Sequence, residues 1–150
     1  MSGYRQDWEA LLTELHTRSE AATAMGGEAR IERQHARGRL TARERIAALV
    51  DEGSFREYGL LAAGHHPQGQ PAIAADGLVG GVARLDGRPV VLLVEDFTVQ
   101  GGSIGPPNAA KRARLVRLAR ENRHPLLLLL EGAGERASNQ GERYPHAPGD

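Results

Sequence analysis

Residues 86–136 place the strongest constraint on what this 150-residue chain can fold into. Two apolar runs of strand length, residues 89–94 and 126–130, are separated by a helical segment of about residues 107–122. Strands that are wholly apolar and joined through a helix are typical of a parallel pair covered on both faces. The stretch therefore predicts an α/β fold.

A glycine loop follows each of the two predicted strands. Gly101, Gly102 and Ser103 come after the first strand, and Gly132 and Gly134 come after the second. Ligands of parallel sheets collect where the strands end, because the loops there carry free backbone N–H groups. We expect both loops to lie at a ligand-binding position of this kind.

A turn signal, Asp86-Gly87, precedes the first of these strands, and both of its residues tolerate a left-handed backbone. It predicts a hairpin in which residues 76–85, a glycine-rich strand candidate, pair antiparallel with residues 89–94. Phe55 and Tyr58 flank a further short strand candidate.

Three helices are predicted before the sheet. The first covers about residues 4–25, and one of its faces is apolar: Trp8, Leu11, Leu12 and Leu15. That face would lie on its own domain or on a partner subunit. The second helix covers residues 28–38, and a capping box of Thr41 and Glu44 opens the third.

Six arginines cluster in and after the second helix: Arg30, Arg33, Arg37, Arg39, Arg43 and Arg45. The first three share one helix face. Charged runs of this kind are usually solvated faces. A guanidinium group also binds phosphate oxygens in pairs, so the cluster is a candidate phosphate site as well. The residues alone leave both interpretations open.

The composition excludes several kinds of site. Without cysteine, the chain has no disulfide, no thiolate metal site and no cysteine nucleophile. Its formal net charge of zero gives no general attraction to nucleic acid. No apolar run could cross a bilayer and no signal segment is evident, so we expect a cytoplasmic protein. His65 and His66 lack a third ligand at metal-like spacing, so we expect no metal.

Two motifs are distinctive, residues 33–46 (RQHARGRLTARERI) and residues 96–105 (DFTVQGGSIG). Residues 25–28, 53–55 and 86–90 accompany them in the same order. Together they resemble the opening of biotin-dependent acyl-CoA carboxyltransferases, the β subunits of propionyl-CoA and acetyl-CoA carboxylases.

The resemblance implies the N-terminal portion of a crotonase-like α/β fold, a ββα superhelix preceded by N-terminal helices. It assigns residues 1–53 to an N-terminal helical segment and residues 54–150 to the first part of the crotonase-like domain. Members of the family are much longer and contain two related domains. We therefore expect the chain to be truncated.

The family's loop after the leucine strand reads Asp-Ser-Gly-Gly-Ala-Arg, and residues 131–136 (EGAGER) match it in part. In the family this loop donates a backbone N–H to the thioester oxygen. The resemblance thus implies Ala133 and Gly134 as backbone oxyanion donors. The implied substrate-binding residues are Gly101, Gly102, Ser103, Gly132, Arg136, Arg39 and Arg43.

The implied reaction transfers a carboxyl group from carboxybiotin to the α carbon of an acyl-CoA such as acetyl-CoA or propionyl-CoA. It requires N–H donors for the enolate oxygen, each typically worth about 3 kcal/mol. The implied partners are a biotin carboxylase or biotin carrier subunit, with homo-oligomerisation of the full-length form. Neither nucleic acid nor a membrane is expected as a partner, and the chain alone should be inactive.

Two rival interpretations come from the residues. Gly132-x-Gly134-x-x-Ala137 matches the G-x-G-x-x-A fingerprint of an NAD-binding dehydrogenase, which requires a helix to begin at the loop. The second rival is a non-catalytic accessory subunit or remnant that docks through its first helix. A P-loop is excluded, because Lys111 does not follow the required glycine spacing.

Overall fold

A computed structural model describes residues 2–62 and 74–136 of the protein. A four-stranded sheet lies at the centre of these residues. Its strands lie in chain order: β1 Arg56–Glu57, β2 Leu78–Leu85, β3 Arg88–Glu95 and β4 Leu126–Leu129. Strand β2 pairs antiparallel with both β1 and β3, and β3 pairs parallel with β4. The predicted α/β arrangement with one parallel pair is confirmed.

The hairpin between β2 and β3 has the predicted turn. Asp86 and Gly87 both have positive φ angles, 50° and 74°, as a tight two-residue hairpin requires. The Asp51 carboxylate accepts hydrogen bonds from both of their N–H groups, at 2.9 and 2.8 Å. The turn is therefore fixed both by its own residues and by a carboxylate outside the sheet.

The described residues contain four helices: α1 Ser2–Thr23, α2 Glu28–His35, α3 Ala42–Leu49 and α4 Pro106–Asn122. Short 3-10 turns cover Ala74–Gly77 and Gln100–Gly102. Side chains of β3 alternate between the two faces of the sheet. Leu92 and Val94 pack with Ile46 of α3, and Leu93 packs with Leu115 of α4. Both faces of β3 are thus covered by helices, as predicted.

The second parallel strand is less buried than its run of leucines suggests. Leu128 is 50% exposed and Leu130, just beyond β4, is 64% exposed. Among the described residues, β4 lies at the outer edge of the sheet and has a neighbour on one side only. Leu127 and Leu129 still pack on the α3 side and Leu126 on the α4 side, so both faces of β4 are covered in part, whereas those of β3 are covered fully.

Helix α3 begins with the predicted capping box. The Thr41 hydroxyl accepts from the Glu44 N–H at 3.3 Å, and Glu44 accepts from the Thr41 N–H at 2.7 Å. The Thr41 N–H, followed by the His35 ring, lowers the pKa of Glu44 to about 2. Ala42 and Ile46 of α3 pack in the same core cluster as residues of β2 and β3. The domain boundary after residue 53 stays a prediction.

The apolar face of α1 is open to solvent. Trp8 is 57% exposed, and Leu11, Leu12 and Leu15 are exposed as well. This face therefore does not lie on the described part of its own domain. Among the described residues, no helix combines the length and the apolar character needed to cross a bilayer. The predictions for His65 and His66 fall outside the described residues.

Candidate functional site

The two glycine loops pack directly against each other beyond the ends of β3 and β4. A Cβ atom added to Gly132 would lie 2.6 Å from the Gly102 carbonyl oxygen, and one added to Gly102 would lie 3.0 Å from the Gly132 Cα. Both distances are too short for a side chain in this backbone arrangement. Glycine at each position is thus explained by the close approach of the two loops.

Backbone hydrogen bonds join the loops into one unit. The Ala133 N–H donates to the Gly101 carbonyl at 3.0 Å. Ile104 donates to the Gly134 carbonyl at 2.8 Å and accepts from the Arg136 N–H at 2.9 Å, which makes a parallel bridge between Ile104 and Glu135. The sequence predicted two separate loops at strand ends, whereas the structure makes them a single element.

A buried carboxylate supports the start of the second loop. Glu95, the last residue of β3, is 6% exposed. Its Oε2 accepts from the N–H groups of Glu131 and Gly132, and its Oε1 accepts from Arg112 of α4 at 2.6 Å. Sequence reasoning missed Glu95, because only the sheet brings it to a loop 36 residues further along the chain.

A second buried carboxylate holds the end of the loop. Arg136 donates to Asp76 Oδ1 at 2.7 Å, to the Ser103 hydroxyl at 3.1 Å and to the Ser103 carbonyl at 3.0 Å. Asp76 is fully buried and also accepts from the Asn108 N–H at the start of α4, at 3.0 Å. Arg136 and Ser103, both predicted to bind substrate, thus bind each other.

The apex of the loop remains open. Gly132, Ala133, Gly134 and Glu135 are all exposed. Of the two predicted oxyanion donors, Ala133 already donates its N–H to Gly101. The Gly134 N–H donates to no acceptor in the described part of the chain, and Gly134 has a φ of 88°. Within the described part of the chain, the arrangement therefore presents an available backbone donor on a loop held at both ends.

The arginine cluster divides into two groups. Arg39 and Arg45 pair with Glu131 at 3.3 and 3.0 Å, and Arg43 pairs with Glu57 at 2.7 Å. Arg39 therefore reaches the start of the loop, whereas Arg43 is bound to β1. The other three arginines line a cleft of about 390 Å³. Its lining is Arg30, Arg33, Gln34, Arg37, Phe97, Thr98, Gln100 and Gly101.

Two further buried ionisable groups lie near this region. Burial raises the pKa of Asp96, although the Thr98 hydroxyl and N–H that bind it act in the opposite direction. Burial lowers the pKa of Lys111, whose ammonium group donates to the Leu78 carbonyl at 2.6 Å. Within residues 2–62 and 74–136, no group of three or more His, Cys, Asp or Glu side chains is arranged to hold a metal ion.

Comparison with known proteins identifies the family. The family model described as "Carboxyl transferase domain" matches residues 33–147. The propionyl-CoA carboxylase beta chain of Cereibacter sphaeroides is 40% identical over 129 residues, which are 84% of this chain and 25% of that protein. The methylmalonyl-CoA decarboxylase subunit alpha of Veillonella parvula is 38% identical over 125 residues, which are 81% of this chain and 25% of that protein.

Comparison with solved structures gives the same family. The transcarboxylase 12S structure with methylmalonyl-coenzyme A bound superimposes with a TM-score of 0.78 at 34% identity, covering 83% of this chain and 25% of that one. The predicted fold class, the N-terminal portion of a crotonase-like α/β fold, is confirmed by this similarity. The chain spans about a quarter of the length of the curated relatives that it matches. It belongs to the carboxyl transferase domain family.

Proposed function

We propose that this chain is part of a biotin-dependent acyl-CoA carboxyltransferase, which transfers a carboxyl group to the α carbon of an acyl-CoA. The observation that carries the proposal is the exposed loop at residues 132–135, whose Gly134 N–H has no acceptor among the described residues. Carboxybiotin, presented by a partner, supplies the carboxyl group in this class of reaction. The residues described here act on the acyl-CoA.

The loop would stabilise the enolate that forms when the α carbon loses its proton. Negative charge then develops on the thioester oxygen, and a preorganised N–H donor lowers its energy without rearrangement. Ala133 and Gly134 are the proposed donors. Because the Ala133 N–H is bound to Gly101, the Gly134 N–H is the one available in this conformation. Its exposed position gives a thioester access.

The arginine-lined cleft would hold the phosphates of coenzyme A. Arg33 of α2 and Arg37 in the turn after it are exposed, and Arg30 donates to the Thr98 carbonyl at 3.3 Å on the cleft wall. Gly101 lines the same cleft and hydrogen-bonds to Ala133, so the cleft adjoins the loop. Guanidinium groups bind phosphate oxygens in pairs. Arg39 and Arg43 remain candidate contacts that would first have to leave their glutamates.

The proposed partners are a biotin carboxylase or biotin carrier subunit and further copies of the chain's full-length form. The solved transcarboxylase 12S relative is described as a hexamer assembly. The solvent-exposed face of α1, with Trp8 and Leu11, is a candidate contact for another subunit. Location in the cytoplasm stays a prediction.

The two rival functions are not favoured. An NAD fingerprint needs a helix that opens at Gly132–Gly134, but residues 131–136 form a loop with an isolated bridge at Glu135. Ala137, the third fingerprint position, lies outside the described residues. Relatives named as carboxylase beta chains do not support a dehydrogenase, and they do not favour a non-catalytic accessory subunit either.

Calorimetric titration of the chain tests the proposal. Propionyl-CoA should bind more tightly than S-propyl-CoA, a thioether without the carbonyl oxygen, by about fivefold, because one hydrogen bond to an uncharged carbonyl is typically worth about 1 kcal/mol net. Replacing Arg33 and Arg37 together with alanine should weaken both ligands equally, since the phosphates are common to them. The matched control replaces Arg114 and Arg117, two exposed arginines of α4. Absence of binding by the unaltered chain would contradict the proposal.

A further inference from the structure

We propose that Glu95 is the positioning residue of the loop: its carboxylate fixes the backbone of residues 131–132 and thereby aims the Gly134 N–H. Glu95 forms no hydrogen bond with Ala133, Gly134 or Glu135 of the exposed apex. It acts through the two N–H groups that it accepts, those of Glu131 and Gly132. The loop-positioning role stands on geometry alone, and its consequence for acyl-CoA rests on the proposed function.

The contacts of Glu95 are divided between its two oxygens. Oε2 faces the loop and accepts both backbone N–H groups, whereas Oε1 faces α4 and accepts from Arg112 at 2.6 Å. Both side chains of this ion pair are largely buried. Hydrogen bonds to an ionised acceptor in such surroundings are roughly twice as strong as neutral ones. Two adjacent residues of the loop are thus fixed to the rigid end of β3.

A hydrogen-bonded chain of side chains links Glu95 to the other end of the loop. The Arg112 Nε donates to the Asn108 side-chain oxygen at 2.7 Å, and the Asn108 amide donates to the Asp76 carbonyl at 2.9 Å. Asp76 in turn binds Arg136. The loop is therefore held at its start by Glu95 and at its end by Asp76, and one buried asparagine connects the two supports.

Glu95 also helps to explain why position 132 is a glycine. A Cβ atom on Gly132 would lie 2.8 Å from the Glu95 Oε2 as well as 2.6 Å from the Gly102 carbonyl. The carboxylate and the first glycine loop together occupy the space that a side chain would need.

The matched control for Glu95 lies at the opposite end of β3. Asp51 also accepts two consecutive backbone N–H groups, those of Asp86 and Gly87 in the hairpin. It has the same chemistry but no connection to the glycine loops. Glu95→Gln and Asp51→Asn each replace a carboxylate with an amide of nearly the same shape. Comparing them separates loop positioning from a general loss of stability.

The first measurement is amide hydrogen exchange of the chain by NMR. We expect Glu95→Gln to speed exchange at Glu131 and Gly132 by about tenfold or more, because the amide is a weaker acceptor and meets Arg112 poorly. Asp51→Asn should speed exchange at Asp86 and Gly87 and leave the loop within about twofold of the unaltered chain. Unchanged loop exchange in Glu95→Gln, or an equal change in Asp51→Asn, would overturn the proposal.

The second measurement is the preference for propionyl-CoA over S-propyl-CoA in the same variants. Glu95→Gln should reduce this preference from about fivefold to about twofold or less while the affinity for S-propyl-CoA is unchanged, which a purely structural role would not produce. Asp51→Asn should leave it intact. If the unaltered chain shows no preference, the proposed function fails, and the exchange data still decide the role of Glu95.

Should Glu95→Gln fail to fold, Arg112→Gln provides a second route. This variant keeps the carboxylate and its two backbone contacts but removes the guanidinium that orients it. We expect the same selective increase in exchange at Glu131 and Gly132, about threefold in size. Exchange at these two residues equal to that of the unaltered chain would count against the role of Glu95.

Discussion

At each end of β3 a carboxylate accepts two consecutive backbone N–H groups, but the surroundings of the two carboxylates differ. At one end the Asp51 carboxylate holds two N–H groups of the hairpin, and at the other Glu95 holds two N–H groups of the glycine loop. Asp86 and Gly87, which Asp51 binds, form an exposed turn. Glu95, in contrast, is buried and paired with Arg112. A carboxylate that binds backbone N–H groups is therefore not by itself a sign of function. Burial and a free donor nearby distinguish the second end.

The largest effect is expected when the buried carboxylate is removed altogether. Glu95→Ala leaves the Arg112 guanidinium unpaired in a largely buried position, which should lower the free energy of unfolding by about 3–5 kcal/mol. Urea denaturation of the variant and of the unaltered chain measures the difference. A loss below about 1 kcal/mol would show that the pair is not the rigid support that the geometry indicates.

A steric change at the loop should have the next largest effect. Gly132→Ser would place a Cβ atom 2.6 Å from the Gly102 carbonyl oxygen, and the forced shift should cost about 1–3 kcal/mol. Gly27→Ser is the control, since a Cβ there meets nothing within 4 Å, although its φ of 85° also disfavours a side chain. Equal unfolding midpoints for the two variants would show that the contact between the loops is not tight.

Loss of the hairpin support should be milder. Asp51→Ala removes two hydrogen bonds at a turn whose backbone is exposed, so we expect a cost of about 1–2 kcal/mol. The preference for propionyl-CoA over S-propyl-CoA should stay unchanged. A variant that lost this preference while remaining folded would mean that the two ends of β3 are not independent.

The smallest effect concerns the capping box of α3 and depends on pH. The pKa of Glu44 is lowered to about 2, so its contribution is complete above the unfolded value near 4.5 and is lost as the pH falls through 2. Because the side chain is 43% exposed, we expect only about 1 kcal/mol. Unfolding experiments on Glu44→Gln should show this deficit at pH 6 and none near pH 2. A deficit that is constant with pH would contradict the assignment.

Local signals predicted the frame of the fold well. The hairpin at Asp86-Gly87, the capping box at Thr41 and the helix before β4 are each specified by neighbouring residues, and all three are confirmed. The low burial of the β4 leucines was not predicted, because five apolar residues look the same in an outer strand and in a central one. Whether a strand is central or outer depends on the strands that pair with it, and the strand's own residues do not determine this.

The supports of the loop could not be predicted from the sequence. Glu95 and Asp76 reach the loop across 36 and 60 positions of chain, and their neighbours in sequence give no sign of it. The arginine cluster was identified as a unit, yet the glutamates that divide it, Glu57 and Glu131, lie on other elements. The sheet determines which charged residues meet when they are far apart in the chain. The sequence therefore shows the arginines but not the glutamates that pair with them.

The most direct test of the central claim is the amide proton shift of Gly134 during NMR titration. If this N–H binds the thioester oxygen, its signal should move downfield with saturating propionyl-CoA and stay in place with saturating S-propyl-CoA. The signal of Ala133, whose N–H is already bound to Gly101, should move much less with either ligand. Identical shifts of Gly134 with both ligands, or none with either, would contradict the claim that this loop binds the reacting carbonyl.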